Sequence, residues 1–232
     1  MNPVLQPEEW TALLLSLRVS FWAVALSLPI GIAVAWLLAR RDFVGKSLLD
    51  ALVHLPLILP PVVTGYLLLV VFGRQGVVGG WLHEWLGITL AFRWTGAVLA
   101  GAIVGFPLMV RAVRLSIEAV DRRLEGAAMV LGARPLRVFL TVTLPLASPG
   151  IIAGALLAFA RALGEFGATI TFVSNIPGET RTLPIAIYTY LQIPGGEGAA
   201  GRLVLLSVVL ALAALLASEW LARSMRRRLE AG

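Results

Sequence analysis

The chain has 232 residues, of which 59% are hydrophobic, with no cysteine and a formal net charge of +6. Its mean hydropathy of +0.89 exceeds what a soluble domain of this size needs, and the missing cysteines exclude a disulfide framework or a thiolate metal site. The positive charge alone would suit nucleic acid, but its placement between apolar runs argues for membrane topology instead.

Uncharged stretches of about 18 or more residues read as bilayer spans. In chain order they run from Val19 to Ala39, Leu55 to Gly73, Trp94 to Val110 and Val138 to Ala160. A fifth, Leu203 to Ser218, reaches spanning length with Glu219 at the interface. Backbone polar groups in lipid need internal partners, so these runs are expected to be helices. No alternating barrel pattern is present. The predicted fold is therefore an all-α integral membrane protein with five transmembrane helices.

The predicted spans are about 13–39, 53–73, 94–113, 146–172 and 201–221, in one domain over 11–221 with a basic tail at 222–232. Glu8 and Glu9 precede the first span, with no Lys or Arg before Arg18. That is the reverse of a signal peptide, so the first span is expected to stay in the protein. Pro29 and Pro107 fall mid-span, and Pro56, Pro60 and Pro61 are expected to unwind the start of the second span. Trp81, Trp85 and Trp94 bracket the connection that follows, where a short interfacial helix is expected over Gly79–Gly87. Gly101/Gly105 and Gly150/Gly154 are small-xxx-small pairs, suited to helix contact within one chain or to a dimer seam.

Basic residues assign the sides. Arg40, Arg41, Lys46, Arg111, Arg114, Arg122, Arg123, Arg134, Arg137, Arg223, Arg226, Arg227 and Arg228 fall on one side, against Arg74, Arg93, Arg181 and Arg202 on the other. The positive-inside bias puts the first group in the cytoplasm, with the N-terminus outside and the C-terminus inside. A polar segment, 121–145, then faces the cytoplasm. Asp121 is suited to cap a helix starting near Arg122, and Gly132 to end it. Leu124, Ala128 and Leu131 share one face of that helix, with Ala127 beside it. Pro135 is suited to open a second short helix. An amphipathic connector would explain this segment blandly; a docking site for a partner is the sharper reading.

Glu125-Gly126-Ala127-Ala128, then Leu131-Gly132, then Val142-Thr143-Leu144-Pro145, resembles the coupling loop of ABC importer permeases. That pattern is Glu-Ala-Ala, three residues, Gly, nine residues, an aliphatic, any residue, and Leu-Pro. The family's glutamate position is Gly126 here, and Glu125 stands one place early. The resemblance implies a type I ABC importer permease fold whose coupling residues are Glu125, Gly126, Ala127, Ala128, Leu131, Gly132, Leu144 and Pro145. It also implies a separate cytoplasmic ATPase. Gly45-Lys46-Ser47 is not a P-loop, because Arg40 stands where its first glycine belongs. This chain is thus expected to bind no cofactor, with ATP and Mg on the partner.

Arg161 and Glu165 are four apart near the end of the fourth span. They form either a neutralising structural pair or part of an anion route in which Thr169, Thr171 and Ser174 add hydroxyl donors. The stretch from Phe159 to Pro184, with His54-Leu55-Pro56-Leu57, Leu59-Pro60-Pro61-Val62 and Phe106-Pro107-Leu108-Met109-Val110-Arg111, resembles the molybdate branch of the sulfate, molybdate and tungstate permeases. That resemblance implies a homodimer in a bacterial inner membrane that receives molybdate from an extracytoplasmic binding protein, with Glu179 and Arg181 as docking residues. Sulfate or tungstate is the alternative cargo. An embedded enzyme is disfavoured: His54 and His83 are the only histidines, and Glu165 is the sole carboxylate well inside a span. An ATP-independent channel or carrier would leave the 125–145 pattern without a purpose.

Overall fold

The computed structural model describes residues 6–230, so the last two residues of the basic tail lie outside the described residues. The side chains of Arg223, Arg226, Arg227 and Arg228 lie outside them as well. Among the described residues, eleven α-helices follow one another: α1 Pro7–Arg40, α2 Lys46–Ile58, α3 Pro61–Phe72, α4 Val77–Leu86, α5 Trp94–Glu118, α6 Arg122–Val130, α7 Pro135–Val138, α8 Leu144–Leu163, α9 Gly167–Val173, α10 Leu183–Leu191 and α11 Glu197–Glu230. A π-helical segment, Phe139–Thr143, joins α7 to α8. Four helical stretches among the described residues are long and apolar enough to cross a membrane. The α2–α3 pair, bent by 115°, makes a fifth if counted as one span.

Helix α5 sits at the centre of the bundle, against α1 on one side and α8 on another. The reason is legible in the side chains. Helix α1 buries a stripe of Ala12, Val19, Ala23, Ser27, Gly31 and Ala35, whose small members let backbones approach closely. Lipid tails are as apolar as leucine, so tight packing has to hold such helices together. The two glycine pairs meet across the α5–α8 seam. A Cβ on Gly105 would lie 3.0 Å from the Ala158 carbonyl oxygen, and one on Gly154 3.0 Å from that of Met109. Gly101 faces Ala162 and Gly150 faces Ser116. Both motifs are therefore used inside one chain, which removes the need for a dimer seam to explain them.

The second span is broken at Pro60–Pro61, as these prolines led one to expect, but not at Pro56. Helix α2 runs regularly through Pro56, and the chain breaks at Leu59–Pro60. Two consecutive prolines supply no backbone donors there and hold Leu59 extended, with ψ 139°. The fourth span differs from expectation: α8 ends at Leu163, nine residues short of the expected 172, and α9 restarts at Gly167. The two breaks pack together. A Cβ on Gly167 would lie 2.7 Å from that of Pro61, and one on Gly65 2.8 Å from that of Thr171. A short helix, α4, stands where one was expected over Gly79–Gly87, whereas α10 has no counterpart in the expected elements.

Candidate coupling site and solute path

The polar segment builds up from its caps. The Asp121 carboxylate accepts a 2.8 Å bond from the Arg123 amide, satisfying one of the free donors that begin α6. At the other end Gly132 takes φ +87°, the left-handed turn that L side chains resist. The Ala133 amide then reaches back to the Ala128 carbonyl at 3.1 Å, and Pro135 opens α7 as expected. Helix α6 has no buried residue. Leu124 and Met129 are exposed, and Val130 and Leu131 are each 88% exposed. Ala127 is exposed with them, while Ala128 is half-buried. The open face is thus Leu124, Ala127, Val130 and Leu131, continued by the exposed Leu136 of α7. A Cβ on Gly126 would meet nothing within 4 Å. Leu144 and Pro145 begin α8 directly after the π-helical segment.

Glu125 points the other way. Its carboxylate lies 3.1 Å from the Arg40 guanidinium at the end of α1, and its Oε1 accepts a 2.6 Å bond from the Thr143 hydroxyl. Arg40 also donates to the Val120 carbonyl at 2.9 Å. Neither Arg40 nor Thr143 stood out from the sequence as more than a positive-inside residue and a spacer. No local signal marks them, because their partners are 85 and 18 positions away. Lys46 is accounted for separately: it donates to Asp42 at 2.8 Å. That hydrogen bond, with the attraction of the ammonium group, holds the Asp42 carboxyl below the usual carboxylate range.

In the α8–α9 break, the Arg161 guanidinium lies 2.6 Å from the Glu165 carboxylate. Glu165 is buried, and its second oxygen accepts from the Ala168 amide at 2.7 Å, so the carboxylate also caps α9. Thr169, within α9, is buried as well. The Thr171 hydroxyl donates to the Gly167 carbonyl of its own helix at 2.8 Å. Ser174 is exposed at the end of α9, with φ 66°. None of these five residues lines the wide groove of about 850 Å³, whose walls are apolar side chains of α1, α2 and α5 such as Trp22, Leu52 and Phe106.

At the end of the bundle away from α6, Arg181 donates to the Asn175 carboxamide oxygen at 2.7 Å. Glu179 accepts from the Trp94 amide at 3.4 Å. Both are half-buried. Arg181 also lines a cavity of about 240 Å³ with Pro7, Glu8, Thr11 and Pro177. On the same end Glu9, fully buried, is held by Arg202 at 2.6 Å, tying α1 to α11. Arg18, the one cation inside the first span, stacks 3.7 Å above the Trp94 ring.

The helical bundle is shared with chains of solved bacterial ABC transporters. It superposes with a TM-score of 0.69, at 18% identity, on a chain of a bacterial ABC transporter involved in importing the acidic polysaccharide alginate, covering 96% of this chain and 80% of that one. Residues 27–227 match the family model for the binding-protein-dependent transport system inner membrane component, and the chain belongs to that family. It is 64% identical over 225 residues to the molybdenum transport system permease protein ModB of Escherichia coli K12, covering 97% of this chain and 98% of that protein. It is 56% identical to the ModB protein of Haemophilus influenzae, over 97% and 98% of the two chains. A probable sulfate transport system permease of Nephroselmis olivacea is 38% identical, over 95% of this chain and 77% of its own length.

Proposed function

We propose that this chain is the membrane-spanning subunit of an ATP-driven importer, passing molybdate from an extracytoplasmic binding protein into the cytoplasm. Similarity along nearly the whole chain to the Escherichia coli molybdenum permease carries this reading. The lower identity to the sulfate permease makes sulfate the second choice. The chain acts as a homodimer in a bacterial inner membrane, because five spans are too few to enclose a path alone and a twofold axis supplies the other wall. It has no ATPase site of its own, and ATP and Mg reside on a separate ABC ATPase homodimer. The exposed apolar face of α6 and α7 supports this division of labour, since a helix with no buried residue calls for a partner.

In this arrangement the coupling residues divide by direction. Ala127, Leu131 and the Gly132 turn meet the ATPase, Leu144 and Pro145 carry the motion into α8, and Glu179 and Arg181 meet the binding protein. The basic side of the bundle is cytoplasmic. Arg161 lends positive potential to the oxyanion's route, with Glu165 holding it in place and the hydroxyls of Thr169, Thr171 and Ser174 following along and after α9. Uptake into vesicles holding the purified complex tests the cargo. Labelled molybdate uptake should be displaced by unlabelled molybdate at far lower concentration than by sulfate; equal displacement by sulfate contradicts the assignment.

A further inference from the structure

Helix α6 touches the rest of the molecule through very little. Its apolar side chains face outward, and none of its residues is buried. Among the described residues, and apart from a long 3.5 Å contact from Arg122 to the Ala39 carbonyl, its side-chain polar link to the bundle is Glu125. That carboxylate meets two different elements at once: Arg40, the last residue of α1, and Thr143, the last residue of the π-helical segment. The Arg40 and Glu125 side chains are 8% and 14% exposed, so the pair is largely shielded from water and from screening salt.

The setting is unlike that of a static brace. Single π-helical turns inside α-helices are rare and concentrate at functional sites, since they hold an extra residue that a small shift can expel. Here the turn carries Thr143, which is buried and bonded to Glu125. Phe139 at its start packs edge-on against Trp36 of α1, with ring centroids 5.9 Å apart. Among the described residues, Arg40 keeps one buried donor, its Nε, without a partner. A guanidinium offers five N–H groups, so this node is not a saturated network and holds capacity for a second arrangement.

We propose that Glu125 is a positioning residue that latches α6 to α1 and to the π-helical segment, so that displacement of α6 by the ATPase is delivered through Arg40–Glu125–Thr143 to the transmembrane bundle. This deepens the coupling role assigned above and rests on it. The carboxylate one place before the family's glutamate position thus serves this chain from within, while Gly126 leaves the partner-facing position open.

The test compares Thr143→Val, which keeps the shape and deletes the hydroxyl, with Thr143→Ser, which keeps the hydroxyl. Each is reconstituted with the cognate ATPase and molybdate-loaded binding protein. Two quantities are read: the Kd for the ATPase, and ATP hydrolysed per molybdate imported. Thr143→Val should leave the Kd unchanged and raise the ratio about tenfold, within the range common for coupling between sites; Thr143→Ser should restore it. Glu125→Gln should raise the ratio in the same way. A wild-type ratio in both Thr143→Val and Glu125→Gln overturns the latch. Loss of ATPase binding in Glu125→Gln also overturns it, by making Glu125 a direct docking contact, yet leaves the coupling assignment standing. If the unaltered chain binds no ATPase, the coupling assignment itself fails and the latch with it.

Discussion

Gly132 offers the sharpest mutational test of the proposed coupling segment, because its conformation and its surroundings point in opposite directions. Its φ of +87° lies in the left-handed region, yet a Cβ there would meet nothing within 4 Å. Replacing it therefore costs backbone strain and no steric clash. An L residue held in that region costs about 1–2 kcal/mol, asparagine less because its short polar side chain suits it. One to two kcal/mol is a factor of about 5–30 in an equilibrium. If the α6–α7 turn must keep this shape to dock, Gly132→Ala should weaken ATPase binding by about 5–30-fold, β-branched Gly132→Val by more, and Gly132→Asn by only about threefold or less. The order runs against size, since asparagine is larger than alanine. Isothermal titration of the detergent-solubilised chain with purified ATPase reads these values. Melting of the bundle should be unchanged, because the exposed turn is free to relax out of the left-handed region until docking imposes it, so the strain arises on binding. Wild-type binding by the valine variant, or equal damage from asparagine and valine, would refute the reasoning.

Other expectations concern the bundle. Gly105→Leu should prevent packing of α5 on α8, because even a Cβ there would be 3.0 Å from backbone; loss of the monodisperse folded species on size exclusion checks this. Gly126→Ala should stabilise α6 by up to about 1 kcal/mol without loss of transport, since the site is open; thermal melting and uptake read both halves. Glu165→Gln should destabilise the protein by about 1–3 kcal/mol, below the 3–5 kcal/mol typical of a broken buried pair because the Arg161 side chain is 30% exposed. Arg161→Met should fold and reach the membrane but carry less flux; full flux would reduce the pair to a structural role.

Much of this architecture was legible from two signals of different strength. Long uncharged runs located the long apolar helices, because lipid leaves a chain few alternatives to them. Asp121, Gly132 and Pro135 located the ends of α6 and the start of α7, because caps act locally. The breaks were harder. Hydropathy reads Leu55–Gly73 and the residues after Leu146 as continuous, while Pro60–Pro61 and the Gly164–Phe166 break interrupt them. The packing of Gly65 and Gly167 against one another's helices then compensates for the interruption, and no sequence window shows that contact. The partners of Glu125 were invisible for the same reason. A carboxylate on a polar helix reads as solvated until Arg40 and Thr143 are seen to enclose it.

On the proposed function, this chain moves an oxyanion only when a partner hydrolyses ATP. Proteoliposomes holding the chain alone, with the ATPase, and with both the ATPase and molybdate-loaded binding protein should be compared for labelled molybdate uptake with and without ATP. Accumulation should require all components together and stop when ATP is withheld. Uptake by the chain alone, or uptake indifferent to ATP, would contradict the account.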